Sequence, residues 1–121
     1  FENGGLPAIG LYGLHETVKT YRRLGGREIE DYILDLTDYL YKEAGTLEGF
    51  SISCPHQRAC RSGLVSLNLP HGLGLTEARL REAGIRAKLQ GQDRMRVALH
   101  YYNNTRDIDR LMEYLKSCIQ K

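Results

Sequence analysis

The sequence predicts an α+β two-layer sandwich, in which helices pack on one face of a small, mainly antiparallel sheet. Two observations lead to this fold class. Hydrophobic residues recur at helical spacing in the first third and at the end of the 121-residue chain, and they alternate with polar residues in short segments between. The predicted order of elements is ααββαββα, and the length suits a single domain with its own hydrophobic core over residues 1–121.

Two helices are predicted in the first third of the chain. Residues 1–10 are rich in glycine and predict a loop. A helix is predicted over residues 10–24 and should end at the Gly25-Gly26 pair, since glycine readily adopts the left-handed conformation that closes a helix. A second helix is predicted over residues 27–44. Its hydrophobic stripe consists of Ile29, Ile33, Leu36 and Leu40.

Four short strands and one short helix are predicted for the middle of the chain, because the hydrophobic period changes there to two. The strands are predicted over residues 50–53, 64–69, 85–89 and 95–100. Thr76 is predicted to cap a helix over residues 77–82, and Asn104 to cap the last helix, over residues 105–120. The hydrophobic stripe of that last helix consists of Ile108, Leu111, Met112 and Leu115.

The composition is that of a soluble, cytoplasmic globular protein, with 41% hydrophobic and 26% charged residues. Its 17 basic and 15 acidic residues are interspersed, which argues against a nucleic-acid partner, since nucleic-acid binding requires basic residues clustered on one face. No hydrophobic run approaches the roughly 20 residues that span a bilayer, and no signal peptide opens the sequence. We therefore expect no membrane partner.

Neither the histidines nor the cysteines are spaced as metal ligands, so no metal site is predicted. The odd number of cysteines indicates reduced thiols rather than a disulfide framework. These residues are His15, His56, His71, His100, Cys54, Cys60 and Cys118. The sequence also lacks a convincing pair of carboxylates or a Ser-His-Asp arrangement, and we predict no catalytic residue in this chain.

One strand carries a candidate binding residue, Arg96, in the middle of the segment predicted over residues 95–100. Hydrophobic residues occupy one face of this strand, and the opposite face carries Arg94, Arg96, Ala98 and His100. An arginine in this setting suits a carboxylate or a phosphate, because its planar fork donates two parallel hydrogen bonds. Alternatively, Arg96 pairs with an acidic residue or lies on the surface.

Four motifs follow one another along the chain, at residues 1–7, 61–66, 84–85 and 96–111. They begin Phe-Glu-Asn-Gly-Gly-Leu-Pro, Arg-Ser-Gly-Leu-Val-Ser, Gly-Ile and Arg-Val-Ala-Leu-His-Tyr-Tyr-Asn-Asn. Together they resemble motifs of the class V aminotransferases and cysteine desulfurases, which are fold-type I enzymes dependent on pyridoxal 5'-phosphate. The last motif is similar to that family's closing signature, an arginine-bearing strand followed by a Tyr-Asn-Thr turn and an acidic helix.

The resemblance implies that the chain is the C-terminal small domain of a homodimeric enzyme that acts on a small amino-acid substrate. Pyridoxal 5'-phosphate would be bound mainly by a larger preceding domain, and residues 1–10 would lead out of that domain. The arginine that matches the family's signature, Arg96, would hold the substrate carboxylate. His100 and Asn103, in the same signature, are candidate accessory residues of the site.

Two departures from the family's pattern bear on function. Gly4 and Gly5 in the opening motif are the candidate cofactor-binding residues, but the family has a phosphate-binding Thr where this chain has Gly5. Desulfurases carry a nucleophilic Cys just after the Gly-Ile strand, whereas residues 86–92 contain none, so persulfide chemistry is disfavoured. The run at residues 100–103 is similar to that of the isopenicillin-epimerase-like branch.

The first residue is Phe1 rather than Met, which is typical of a fragment of a longer chain. We expect such a fragment to be inactive alone. The alternative function is that of a free-standing, non-catalytic α+β domain that binds a small molecule or regulates another protein.

Overall fold

The computed structural model describes residues 7–119 and contains four α-helices and four β-strands within that range. The helices are α1 (Ala8–Leu24), α2 (Gly26–Ala44), α3 (Glu77–Glu82) and α4 (Thr105–Ile119). The strands are β1 (Ser51–Ile52), β2 (Leu64–Asn68), β3 (Lys88–Gln90) and β4 (Arg94–Ala98). The predicted α+β class and the order ααββαββα are confirmed. No helix in the described range has the length and hydrophobicity needed to cross a bilayer.

The backbone groups into two compact units, and their boundary lies inside α2. The first unit ends at Asp31 and the second begins at Tyr32. The first unit contains α1, which starts at Ala8, two residues earlier than predicted. Proline suits the start of a helix because it lacks an N–H that would be left unpaired, and the carbonyl of Pro7 accepts a helical hydrogen bond of 3.0 Å. Gly25, with φ of 86°, ends α1 as predicted.

The sheet has the strand order β1-β2-β4-β3, and all three neighbouring pairs are antiparallel. In the central pair, Val65 lies opposite Val97 and Ser66 lies opposite Arg96. On the other side of β4, Lys88 lies opposite Arg96. Arg96 therefore has a neighbour on each side, at the centre of three hydrogen-bonded strands.

The hydrophobic core lies on one face of this sheet. Val65, Leu67, Met95 and Val97 point into it, and each is at most 6% exposed. The helical side chains that complete this core are Leu36, Leu40, Ile108, Leu111, Met112 and Leu115. The predicted stripe of α4 and the predicted facing of β2 and β4 are thus confirmed.

Both predicted N-caps are confirmed by hydrogen bonds. The Thr76 Oγ1 atom accepts from the backbone N–H of Arg79 at 3.2 Å, at the start of α3. At the start of α4, Asn104 Oδ1 accepts from the N–H of Arg106 at 2.9 Å. The carboxylate of Asp107 accepts in turn from the N–H of Asn104 at 3.0 Å, which completes a reciprocal cap.

Some strand boundaries were predicted wrongly, and in two cases a competing hydrogen bond accounts for the difference. β3 begins at Lys88 instead of Ile85, because the Ile85 N–H donates to the carbonyl of Leu80 at 2.8 Å and ties this segment to α3. β4 stops two residues before its predicted end at His100, whose N–H donates to Asn103 Oδ1 at 2.9 Å. β1 is shorter than predicted by one residue at each end.

Arg61, in the second family-like motif, is part of a cluster of charged residues beside α2. Its guanidinium group donates to Asp38 and to the carbonyl of His56, and it lies 4.5 Å from the centre of the Tyr41 ring. Arg58 also pairs with Asp38. Burial raises the pKa of the Asp38 carboxyl group, but the hydrogen bonds from Arg61 and Arg58 outweigh it and hold the pKa below its ordinary value of 3.8.

The packing of the core predicts a large cost for truncating its helical side chains. Leu36→Ala and Leu111→Ala should each lower the free energy of unfolding by about 2–5 kcal/mol, because both remove buried methyl groups and leave cavities. Leu64→Ala, on the open face of β2 and 55% exposed, is the matched control and should cost less than about 1 kcal/mol. Urea denaturation measures all three, and equal costs for the three variants would contradict the assignment of the two faces.

The lowered pKa of Asp38 predicts an acid-sensitive contribution to stability. A depressed carboxyl pKa stabilises the fold above the unfolded-state value of about 3.8, and the contribution is lost as the pH falls through the folded-state value. In urea denaturation from pH 7 to pH 3, the difference in unfolding free energy between wild type and Asp38→Asn should therefore be constant above about pH 5 and shrink below it. A difference that is independent of pH would show that Asp38 is not held by its arginine partners.

Candidate functional site

The antiparallel register places Arg96 on the open face of the sheet. Its neighbours along β4, Met95 and Val97, are buried in the core, so the side chain of Arg96 must point away from the helices. The side chain is exposed, as the alternation in the sequence predicts. Because β4 is paired on both sides, the backbone at this position is rigid, and the guanidinium group is presented from a fixed base.

Arg96 lines an open depression with a volume of about 360 Å³. The rest of the lining comes from α3, from residues 85–88 and from Leu64 of β2. The charged residues of the lining are Glu77, Arg81, Arg86, Lys88 and Arg96. Four of these five side chains are basic, so the depression is suited to anions.

Only part of this positive charge is neutralised by the protein. Lys88 forms an ion pair with Glu77 at 2.9 Å, and the hydrogen bond from Lys88 lowers the pKa of that carboxyl group. Arg81 makes a long hydrogen bond of 3.4 Å to the backbone carbonyl of Glu77. Within residues 7–119, the side chains of Arg86 and Arg96 form no hydrogen bond or ion pair. The sequence left two alternatives to anion binding for Arg96, namely pairing with an acidic residue or a position on the surface. The first of these is not observed in the described range.

Arg94 offers a comparison within the same strand. It points to the same open face as Arg96 and is also exposed, but it does not line the depression. Its neighbours across the sheet are Asn68 and Gln90, which are polar and uncharged. If a binding effect depends on the depression rather than on the charge of β4, replacing Arg96 should change it and replacing Arg94 should not.

Asn103 is occupied in building the turn after β4. Its Oδ1 accepts from the His100 N–H, its Nδ2 donates to Asp107 at 3.2 Å, and its backbone carbonyl accepts from the Tyr32 hydroxyl at 2.7 Å. Asn103 lines a neighbouring cavity of about 250 Å³, which it shares with Arg86 and Asp107. The structure therefore places Asn103 beside the Arg96 depression but not in its lining.

The imidazole ring of His100 lies in an exposed group of aromatic side chains. It stacks on the ring of Tyr102 with centres 5.0 Å apart, and it meets the ring of Tyr101 at 4.6 Å. His100 does not line the depression either. The other two candidates, Gly4 and Gly5, lie outside the described residues.

The remaining reactive groups do not add a second site. In the described range, no three residues among the histidines, cysteines and acids are placed to hold a metal ion, and Cys54, Cys60 and Cys118 are free thiols. Every described lysine is exposed, so no buried amine is available in residues 7–119 for a covalent bond to a cofactor.

The basic residues that surround Arg96 were not predicted from the sequence. Arg86 and Lys88 alternate with residues that pack on the core, namely Ile85, Ala87 and Leu89, and this pattern places both cations on the open side. In the sequence, this period-two pattern predicts the strand over residues 85–89, and it also predicts that both cations lie on the face opposite the core. Arg81 lines the same depression because of where α3 lies in the fold, and no local feature of the sequence predicts that placement.

The sequence matches a known family over most of its length. The family model for aminotransferase class-V matches residues 1–111. A probable cysteine desulfurase of Staphylococcus aureus (strain Mu50) is 30% identical over 126 residues, covering 93% of this chain and 30% of that protein. A probable cysteine desulfurase of Staphylococcus epidermidis (strain RP62A) is 29% identical with the same coverage. The chain thus spans about 30% of the length of these curated relatives.

Solved structures show the same fold. The cystine C–S lyase C-DES, in complex with its reaction product cysteine persulfide, matches with a TM-score of 0.69 and 23% sequence identity. The match covers 80% of this chain and 26% of the C-DES chain. A C-DES mutant with glycine covalently linked to its pyridoxal-phosphate cofactor matches equally well.

Proposed function

Because the chain belongs to the aminotransferase class-V family, we propose that it is the small domain of a pyridoxal-phosphate-dependent enzyme that acts on an amino acid. In this proposal a larger domain binds most of the cofactor and this chain closes over the substrate. The coverage of 30% of the curated relatives supports such a division. A homodimeric state and the isopenicillin-epimerase-like branch rest on resemblance, and a cytoplasmic location rests on the sequence alone. All three stay predictions.

The observation that carries the proposal is the exposed guanidinium group of Arg96, which has no partner within residues 7–119 and lines a basic depression. A guanidinium fork binds a carboxylate through two parallel hydrogen bonds, and every α-amino-acid substrate has a carboxylate bonded directly to its α-carbon. Arg96 would hold that group. The orientation of the substrate would follow from the rigidity of β4, since a bidentate contact fixes both position and angle.

In this proposal the chain contributes little to the cofactor site. None of their lysines is buried, and the candidate contacts to its phosphate, Gly4 and Gly5, lie outside the described range. When bound, pyridoxal phosphate supplies an electron sink for bonds broken at the substrate's α-carbon. The choice between transamination, racemisation and elimination belongs to residues around that cofactor. Because residues 86–92 contain no cysteine, sulfur transfer through a thiolate at that loop is disfavoured.

The role of Arg96 predicts a kinetic defect in the intact enzyme. Arg96→Lys keeps the charge but loses the fork, and kcat/KM for the amino-acid substrate should fall about ten- to a thousandfold, at roughly 1.4 kcal/mol per decade. Arg94→Lys is the matched control and should change kcat/KM far less. The cofactor's absorbance should be unchanged in both variants.

Two results would contradict the assignment. Normal steady-state kinetics for Arg96→Lys would show that Arg96 does not hold the carboxylate. Loss of the cofactor's absorbance in that variant would show that Arg96 serves cofactor binding or the architecture instead.

The division between two domains predicts that the 121-residue chain is inactive alone. Mixed with pyridoxal phosphate, it should give no saturable absorbance change that depends on a single lysine, because its described lysines are exposed to solvent. A stable absorbance that disappears on replacing one lysine would overturn the proposal.

A further inference from the structure

We propose that the depression beside Arg96 recognises a second anionic group, so that the preferred ligand is an amino acid with an acidic side chain. The inference rests on the proposed function, because it takes Arg96 as the residue that holds the α-carboxylate. It adds Arg86, supported by Arg81, as the residue that holds an anionic group at the other end of the same ligand.

The first support is the number of cations without partners around one depression. Arg86 and Arg96 both line it, and neither side chain forms a hydrogen bond or an ion pair within residues 7–119. Arg86 precedes Lys88 by two residues, and Lys88 lies opposite Arg96 in the sheet. The two arginines therefore belong to different parts of the lining, Arg96 to β4 and Arg86 to the segment that leads into β3.

The second support is the charge balance of the lining. Lys88 and Glu77 neutralise each other through their 2.9 Å ion pair, which leaves the positive charges of Arg81, Arg86 and Arg96 in excess. A ligand with a single carboxylate would compensate only one of these charges, whereas a ligand with two anionic groups would compensate two.

The third support is the hydrophobic surface between the cations. Leu64 and Ala98 lie opposite each other in the β2–β4 ladder, both are exposed on the open face, and both line the depression. The small side chain of Ala98 leaves room above β4 next to Arg96. This surface suits the methylene groups that connect two acidic groups in a dicarboxylic amino acid.

The test compares two probes of equal carbon number, succinate with two carboxylates and butyrate with one. Each is titrated into the 121-residue chain at low salt, and the arginine side-chain N–H signals are followed by NMR. Succinate should bind about two- to fivefold more tightly than butyrate, which is the range of one solvent-exposed charge pair. Arg86→Gln should abolish this preference, because it removes the partner of the second carboxylate. Arg94→Gln, the matched control, should retain the preference.

The outcomes separate the inference from the proposed function. If Arg96→Gln leaves butyrate binding unchanged, the assignment of Arg96 is wrong and the proposed function loses its support. If butyrate binding depends on Arg96 but succinate binds no more tightly, the proposed function stands and the inference is wrong. Binding of inorganic phosphate as tight as that of succinate would also overturn the inference, because it would show selection for charge rather than for two separated groups.

Discussion

The antiparallel register between β2 and β4 is the constraint on which the rest of the structure depends. Side chains alternate along a strand, so a slip of one residue in this pairing would move every side chain of β4 to the other face. Pairing Val65 with Val97 and Leu67 with Met95 buries all four residues under the helices. The same register sends Arg96 outward. The packing of the core and the exposure of the candidate site are therefore two results of one pairing.

The site follows from this register together with the elements that flank it. α3 and the segment before β3 provide part of the lining of the depression. The hydrogen bond from the Ile85 N–H to the Leu80 carbonyl holds that segment against α3. Arg86 reaches the depression because its neighbours Ile85 and Ala87 pack on the core. Positive charge is thus concentrated by backbone geometry, and the one acidic residue in the lining is already paired with Lys88.

The sequence predicted the elements that have strong local signals. The stripe of α4, its cap at Asn104 and the cap of α3 at Thr76 were all predicted, because periodicity and capping chemistry are local properties. The start of β3 was not predicted correctly, because Ile85, the predicted first residue, donates its N–H to Leu80 of α3 instead of pairing with β4. Arg96 was predicted as a candidate from alternation alone. The alternation that exposes Arg86 and Lys88 is local, but their approach to Arg96 was missed because it follows from the folding of distant segments.

A structure of the intact enzyme with a bound amino-acid substrate or analogue tests the central claim most directly. The account predicts that the two carboxylate oxygens accept parallel hydrogen bonds from the Arg96 guanidinium group, with N···O distances of about 2.7–2.9 Å. A substrate carboxylate bound by other residues, with Arg96 left facing solvent or paired with an acidic side chain of the larger domain, would contradict it.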